Sequence, residues 1–382
     1  MTARRVDTFL GIAPKVSRRK LPDANAQVAA NCLLISGAMD PVYAPAQVHG
    51  FGGSAIIESV HRMFSGATDY WLGWAADVDA ARGPIAGDET QRTYFTSDEF
   101  EPRVTDLSLA TSAPPYPAAW YVLGVTPPIT APSVAPSGGS GTDETRVYIY
   151  TFVTQWGEES APSPASTPAT GKPNATWAMT GMNAAPSNSY SVTAVSWSSG
   201  TLTFTVGSTF GLRAGEYVTL SALAPTTLNV SMKVASVTDA THFTVALAAD
   251  PGTITDQTGT AARDAPHNTS NMTKRIYRSV TSGDVTDYFY VAEIAVATTT
   301  YDDLITDIGE PCPTIGWAMP PVDLRGIQFH PSGAAIGFSS LGLCFSEPLA
   351  PYAWPITYQQ VTDYPIVGLG QFGQAVVVAT QG

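Results

Sequence analysis

The chain has 382 residues and a formal net charge of −13, and only 13% of its residues are charged, about half the usual share. This acidic balance argues against tight binding of nucleic acid through its phosphates. No apolar run approaches the ~18 residues of a membrane-spanning helix, and Gly11, Pro14 and Lys15 interrupt the apolar core that a secretion signal would need. We therefore expect a protein that is made in a cytoplasm and has no membrane-spanning segment. Abundant Thr, Ser, Val and Tyr predict an all-β, multidomain chain.

Residues 1–50 are predicted to form an extended arm with one short helix from Asp23 to Asn31, for which Asp23 would be the N-cap. The first 20 residues carry a net charge of +5, so the remainder carries −18. A basic segment on an acidic chain indicates docking on an acidic neighbour, although a solvated tail would have the same composition. The candidate docking residues, on a neighbouring subunit or another protein, are Arg4, Arg5, Arg18, Arg19 and Lys20.

Residues 51–135 are predicted to form an antiparallel meander followed by a Pro-rich spacer. Gly, Asp and Pro punctuate four apolar runs at roughly hairpin spacing. The runs are SAIIESVHRMF, TDYWLGWAADV, TQRTYFTS and RVTDLSLA. Pro then recurs up to a Gly-Gly-Ser-Gly sequence, which is typical of an extended spacer with a flexible joint.

The stretch RVYIYTFV, from Arg146, is apolar on both faces when its side chains alternate as in a strand. Such a strand belongs in the middle of a covered sheet. Its predicted partners, TKRIYRSV and DYFYVAEIAV, come more than a hundred residues later. We therefore predict one sandwich built from residues 136–172 and 263–320, with residues 173–262 inserted between its two parts.

The insertion is predicted to be a small β-barrel, because it contains five short alternating strands in about ninety residues. In TLTFTV, for example, Leu202, Phe204 and Val206 face one way and the intervening threonines the other. Residues 321–382 predict a further antiparallel β region. It ends in AVVVAT, which is apolar on both faces, so we expect this sheet to be incomplete within the given sequence.

The sequence predicts no catalytic, cofactor-binding or metal site. GLGQFG at 368–373 matches the dinucleotide fingerprint but precedes a strand rather than a helix, which favours a β turn. Neither His330 with the cysteines nor the acidic run around Asp77 and Asp88 has the spacing of a zinc site or a calcium loop. The three widely spaced cysteines predict free thiols. The aromatic run TDYWLGWAAD suits a sheet core better than a sugar-binding platform.

Several stretches resemble phage tail nozzle proteins, also called tail tubular protein B, of short-tailed phages. FLGIAPKVSRRKLPDANAQVAANCLLISGAMDPVYAP resembles their N-terminus. TRVYIYTFVTQWGEESAPSPAS and TKRIYRSVTSGDVTDYFYVAEI are similar to their split fibronectin-like domain, and SGTLTFTVGSTFGLRAGEYVTLS to barrels inserted into tail proteins. CFSEPLAPYAWPITYQQVTDYPIVGL resembles the opening of their propeller-like β region.

The resemblance implies a non-enzymatic structural protein of the virion tail that is assembled in the host cytoplasm. It implies a homohexameric tube below the portal adaptor, with tail fibres as a further partner, through which double-stranded DNA passes during ejection. One alternative is a carbohydrate-active or carbohydrate-binding β protein that uses a pair of acids and an aromatic platform. Another is a plain binding module of fibronectin-like repeats.

Overall fold

A computed structural model describes residues 8–33, 40–42, 46–52, 56–282, 285–340 and 342–382. The chain divides into two compact units, residues 1–52 and 53–382. The predicted all-β fold class is confirmed, since the regular secondary structure consists almost entirely of strands and the longer unit contains a closed barrel. None of the helices in the described part of the chain has the length and apolar character needed to cross a membrane.

The first unit contains short paired strands and lacks the helix predicted from Asp23 to Asn31. Asn25–Ala26 is instead a strand that pairs in parallel with Gly11–Ile12. The side-chain amide of Asn25 donates to the Gly11 carbonyl at 3.2 Å, and that of Gln27 to the Val16 carbonyl at 2.5 Å. Such hydrogen bonds from side chains to distant backbone carbonyls stabilise a non-helical conformation and so compete with a helix. The strands are β1 (Gly11–Ile12), β2 (Asn25–Ala26), β3 (Cys32–Leu33) and β4 (Asp40–Pro41).

The second unit begins with a hairpin and a four-stranded antiparallel sheet, whose strands follow the order Tyr121–Val122, Arg103–Thr105, Thr93–Thr96 and Asp79–Arg82. The prediction of a strand over RVTDLSLA is right only for its first residues, because Leu107–Ala110 forms a short helix, α1. Asp106 is the N-cap of that helix, and its carboxylate accepts from the Leu109 N–H at 2.8 Å. The strands are β5 (Ser59–Ser65), β6 (Thr68–Trp74), β7 (Asp79–Arg82), β8 (Thr93–Thr96), β9 (Arg103–Thr105) and β10 (Tyr121–Val122).

A sandwich and a barrel follow, interleaved along the chain. Their strands are β11 (Ser133–Ser137), β12 (Glu144–Arg146), β13 (Tyr148–Val153), β14 (Ala169–Gly171), β15 (Thr176–Thr180), β16 (Ser189–Ser198), β17 (Thr201–Val206), β18 (Tyr217–Ser221), β19 (Ser231–Val237), β20 (His242–Ala246), β21 (Gly259–Arg263), β22 (Thr273–Ser282), β23 (Val285–Ala295) and β24 (Tyr301–Asp303). A 3-10 helix spans Thr226–Leu228.

The sandwich packs the sheet β13-β22-β23 against the sheet β11-β15-β24. Every residue of β13 is buried, and its antiparallel partner is β22, in the register Tyr148 with Arg278 to Val153 with Thr273. β13 thus finds its partner strand about 120 residues further along the chain, after the barrel in sequence. The prediction that it lies in the middle of a sheet is wrong, because it forms one edge of this one.

The other edge of β13 is covered by a repeat of serines at every third position, which we call the serine repeat: Ser160, Ser163 and Ser166. Each serine donates its backbone N–H to a β13 carbonyl and accepts a β13 N–H with its hydroxyl oxygen. Side chain and backbone together therefore replace the ladder that a neighbouring strand would supply. The pairs are Ser160 with Phe152, Ser163 with Tyr150 and Ser166 with Tyr148, all at 2.8–3.2 Å.

The barrel is closed, with strand order β16-β17-β20-β19-β18-β21. Its core holds Phe204 and Phe243, whose rings stack with centroids 4.8 Å apart. The barrel begins at β16 and not at the predicted residue 173, because β15 pairs with β11 and β24 of the sandwich. A sixth strand, β21, closes the barrel beyond the five expected.

Antiparallel pairs also form the C-terminal region, where four strands between Arg325 and Val361 make one sheet. GLGQFG lies in the hairpin that follows, formed by Ile366–Phe372 and Ala375–Thr380, with Gly373 in the turn at a φ of +61°. The elements are β25 (Arg325–Phe329), β26 (Ala335–Ser339), β27 (Gly342–Phe345), a 3-10 helix (Ile356–Tyr358), β28 (Gln360–Val361), β29 (Ile366–Phe372) and β30 (Ala375–Thr380).

Candidate functional site

Three of the five predicted docking residues lie in the described part of the first unit. Arg18, Arg19 and Lys20 are exposed, and the Arg18 Nε donates to the Gln27 side chain at 3.2 Å. Arg4 and Arg5 lie outside the described residues. The exposure of the three cations is compatible with docking and with a solvated tail alike.

The residues of the candidate metal and sugar sites make other contacts in the structure. Within the described ranges, no group of three or more His, Cys, Asp and Glu residues is placed to hold a metal ion. His330 shares hydrogen bonds with Ser332 and with the Gln374 carbonyl, and each of the three cysteines is free. From the aromatic run, Trp74 packs on Phe95 in a core cluster.

A buried ionic network, here called the barrel joint, fixes the barrel to the rest of the second unit. The Arg263 Nη1 donates to Glu216 Oε2 at 2.6 Å, and both side chains are 1% exposed. The same nitrogen donates to the Gly211 carbonyl at 2.6 Å, which also contacts the His267 ring at 2.9 Å. Arg213 binds Glu216 as well and reaches the Pro320 carbonyl at 3.2 Å. Every charge in this joint is therefore paired within the protein.

The environment of the barrel joint fixes the charge states of its members. Burial would raise the pKa of Glu216, but Arg213 and Arg263 outweigh it and lower this pKa to about 2. Burial and the adjacent Arg263 lower the pKa of His267 to about 3. Glu216 is thus ionised and His267 neutral at neutral pH, as an architectural joint requires.

A second buried carboxyl, Glu158, lies in a different setting. It follows β13 in the turn that precedes the serine repeat, its side chain is 6% exposed, and its Oε1 has no hydrogen-bond partner. The nearest cation is the Arg92 Nη1, 3.8 Å from that oxygen, too far for a hydrogen bond. Burial raises the pKa of Glu158 to about 7 despite Arg92. The carboxyl therefore changes its charge near neutrality.

Glu158 lines a cavity of about 200 Å³, here called the Glu158 cleft. Three parts of the second unit converge on it: the β7–β8 connection and the start of β8, the turn after β13, and the turn that precedes Tyr352. The other lining residues are Gly83, Pro84, Ile85, Ala86, Gly87, Asp88, Arg92, Tyr94, Leu349, Pro351 and Tyr352.

Neighbouring residues hold the side chains of Arg92 and Asp88 in place. The Arg92 guanidinium lies 4.8 Å from the Trp156 ring centroid, a cation–π contact. Asp88 accepts hydrogen bonds from the Thr90 N–H and hydroxyl and from the Arg92 N–H. These bonds outweigh the effect of burial and hold the pKa of Asp88 below its usual value. Asp88 and Glu158 are therefore two carboxyls of one cleft with pKa values shifted in opposite directions.

Sequence reasoning missed both the barrel joint and the Glu158 cleft. The signal for the cleft is weak: the pair Glu158-Glu159 directly follows a strand that is apolar on both faces, a position where a carboxylate is difficult to solvate. The partners Arg92 and Tyr352 lie too far away in sequence to be associated with it by spacing. The sequence identifies Asp88 only as a member of an acidic run.

The chain was compared with protein-family models, with curated proteins and with solved structures. No protein-family model and no curated protein matches the chain. Among solved structures, a phage phi92 endosialidase is similar at 12% identity, over 82% of this chain and 54% of that one, with a TM-score of 0.20. This chain therefore aligns with about half of the length of that protein, and a TM-score this low carries no argument about fold or function.

Proposed function

We propose that this chain is a structural subunit of a phage tail nozzle. Identical copies form a ring below the portal adaptor, most simply a hexamer as the sequence resemblance implies, and DNA leaves the virion through the axial channel. The proposal assigns no catalytic activity and no cofactor to the chain, and it places the protein in the virion tail.

The observation that best supports assembly is the apolar surface of the C-terminal sheets. Large hydrophobic side chains are exposed on consecutive elements there, and their removal from water would favour association. They are Ile356 at 71%, Val361 at 80%, Val367 at 58%, Phe372 at 82% and Val377 at 55% exposed. Packing against a neighbouring copy would cover this surface, and head-to-tail contacts that close produce a ring.

The barrel joint and the charge distribution are compatible with the same proposal. A conduit needs modules held in fixed positions, and the joint ties the barrel to the rest of the second unit where Arg213 donates to the Pro320 carbonyl and His267 contacts the Gly211 carbonyl. Beyond position 279 the chain has ten carboxylates and a single basic residue, Arg325. A channel lined from this region would repel DNA, which would then pass without being held.

The direct test is electron microscopy and mass photometry of the purified protein, alone and with the adaptor. We expect rings with an axial channel whose lining is net negative. Phe372→Asp should prevent ring formation, whereas Val230→Asp, at an exposed barrel position, should leave it intact. A wild-type protein that stays monomeric with the adaptor present, or a channel lined mainly by Arg and Lys, contradicts the proposal.

A carbohydrate-active function is a second candidate, and the Glu158 cleft is the observation that favours it. Oppositely shifted carboxyl pKa values are what an acid and a base of a glycosidase need. The test is release of reducing ends from a panel of bacterial surface polysaccharides by the wild type and by Glu158→Gln. Release that the substitution abolishes supports the enzyme, and no release from any polysaccharide argues against it.

A further inference from the structure

The Glu158 cleft combines features that the nozzle proposal does not use. It is a cavity of about 200 Å³ with a carboxyl that is more than nine-tenths buried and has an oxygen without a hydrogen-bond partner. Buried polar atoms in proteins are nearly always satisfied, so an unpaired one beside a cavity indicates a missing partner. We propose that the Glu158 cleft binds a neutral carboxamide group, which bridges Glu158 and Arg92.

The separation of the two side chains supports a bridging group. At 3.8 Å the Arg92 Nη1 and Glu158 Oε1 are too far apart for a direct hydrogen bond. A carboxamide carries an N–H donor and a carbonyl acceptor side by side on one planar group. The donor binds Glu158 while the carbonyl accepts from Arg92, so that one group satisfies both side chains.

The opposite charges of Glu158 and Arg92 favour a neutral ligand between them. An ammonium group that binds Glu158 would lie next to the Arg92 guanidinium and be repelled by it. A carboxylate that binds Arg92 would be repelled by ionised Glu158. A carboxamide avoids both conflicts, and it pairs with either charge state of Glu158, since a protonated carboxyl donates to the amide carbonyl and still accepts from its N–H.

Apolar side chains at the cleft favour a ligand in which the part beyond the carboxamide is a short apolar chain. Ile85 and Leu349 stand at the cleft and are 55% and 61% exposed. Tyr94 and Tyr352 line its interior, and burial raises the pKa of both hydroxyls, that of Tyr352 to about 12. Both tyrosines thus remain neutral donors. The ligand is therefore a small aliphatic amide or the side chain of a glutamine or asparagine presented by a peptide.

The experiment uses the full chain with ¹³C-labelled isoleucine and leucine methyl groups, whose NMR signals from Ile85 and Leu349 report on the cleft. Propionamide, propionate and propylammonium are titrated separately. We expect saturable shifts at both residues with propionamide and binding about tenfold weaker, or none, with the two charged probes. Equal responses to all three probes, or no saturation with propionamide because water already satisfies the site, overturns the proposal.

Variants and peptides locate the site and distinguish the ligand sources. Glu158→Met should abolish the propionamide response, while Glu310→Met, at an exposed carboxylate, should leave it unchanged. Should Glu158→Met fail to fold, Arg92→Lys serves instead, because it keeps the charge and loses the planar fork. Blocked tripeptides with a central glutamine or glutamate form the second arm. Binding of the glutamine peptide alone points to a protein partner, and binding of propionamide without either peptide to a free small amide.

Discussion

The barrel and the sandwich satisfy their backbone hydrogen bonds in different ways. The barrel closes on itself, so that each of its six strands has two neighbours and its interior contains stacked aromatic and aliphatic side chains. The sandwich sheets are open, and side chains complete them: the serine repeat covers one edge of β13, and charged groups occupy positions inside. Closure therefore allows a purely apolar interior, whereas an open sheet depends on individual polar residues.

Asp303 illustrates this dependence. It is fully buried and accepts hydrogen bonds from the Tyr148 hydroxyl at 2.7 Å and from Arg278 at 3.0 Å, with Arg146 at 3.4 Å. In the barrel, the buried charged residues among the described side chains are Glu216 and Arg263, which pair with each other in the barrel joint, beside the ends of β18 and β21. The two regions should accordingly respond differently to the loss of a charge.

The largest effect is expected from Asp303→Asn. The substitution leaves the buried Arg278 without its carboxylate and Arg146 with Glu144 alone, which should lower the free energy of unfolding by about 3–5 kcal/mol. Urea unfolding followed by tryptophan fluorescence measures this loss. The matched control is Asp302→Asn at the exposed neighbouring position, which should stay within about 0.5 kcal/mol. Equal small effects at both positions would show that the sandwich does not depend on this charge.

The barrel rim should be sensitive to acid through His267. Its pKa is about 3 in the folded protein against an ordinary 6.5, so the unfolded chain takes up the proton first as the pH falls from 6.5 towards 3. Stability is lost in that window, about 3 kcal/mol by pH 4. Glu158 acts oppositely, because its raised pKa makes stability grow as the pH falls from 7 to 4.5.

The measurement must therefore compare the wild type with His267→Gln at pH 7 and pH 4. The variant keeps Glu158 and loses only the histidine contribution. Between pH 7 and pH 4 the free energy of unfolding of the wild type should fall by about 3 kcal/mol more than that of the variant. A difference that does not change with pH would mean that His267 is not a buried neutral group.

The buried Lys274 of the sandwich should lower the free energy of unfolding. Lys274 is fully buried and donates to the Thr298 carbonyl at 2.6 Å, and burial lowers its pKa to about 8. Lys274→Met should stabilise the protein at pH 7 by about 1–2 kcal/mol, since the desolvation cost exceeds one hydrogen bond. Between pH 8 and 10.5 the wild type should gain stability relative to the variant. Lys172→Met, at a partly exposed lysine, is the control and should change stability little.

The smallest effect concerns the serine repeat. Ser163→Ala removes the acceptor of the Tyr150 N–H at 3.2 Å and leaves that buried donor unpaired, at a cost of about 1–2 kcal/mol. Ser196→Ala, at an exposed position of the barrel strand β16, should lower the free energy of unfolding by less than about 0.5 kcal/mol. Amide hydrogen exchange at Tyr150 reports the same change locally. Unchanged protection there would mean that the covering segment holds without its hydroxyls.

The contrast also explains how much of the fold could be predicted from the sequence. Apolar and polar residues alternate in TLTFTV and THFTVAL, and this pattern identifies the barrel because the side chains that face its interior are apolar. In β13 the residues on both faces are apolar, which identifies a strand that is covered on both sides. The sixth strand, Gly259–Arg263, has no such pattern. The prediction that places β15 in the barrel is wrong, because the pattern of this strand does not reveal its partners in the sandwich. The helix predicted from Asp23 failed because Asn25 and Gln27 bind backbone across a turn.

The two sites could not be predicted, for a related reason. Glu158 is brought to Arg92 and Tyr352 by pairings between three segments, and Glu216 to Arg263 by the closure of the barrel. Both depend on three-dimensional placement, which spacing along one chain does not encode. The docking role of the basic residues stays a prediction, with Arg18, Arg19 and Lys20 exposed.

The serine repeat also has a consequence for biosynthesis. Its first member follows Val153 by only seven residues, whereas Thr273, the strand partner of Val153, is made about 120 residues later, roughly 6–24 s at ordinary translation rates. During that interval β13 would expose one of the most apolar strands of the chain beside the ribosome. The segment directly behind it can close one edge at once, before the barrel has been synthesised. We therefore expect the nascent sandwich to be protected from aggregation by its own next few residues.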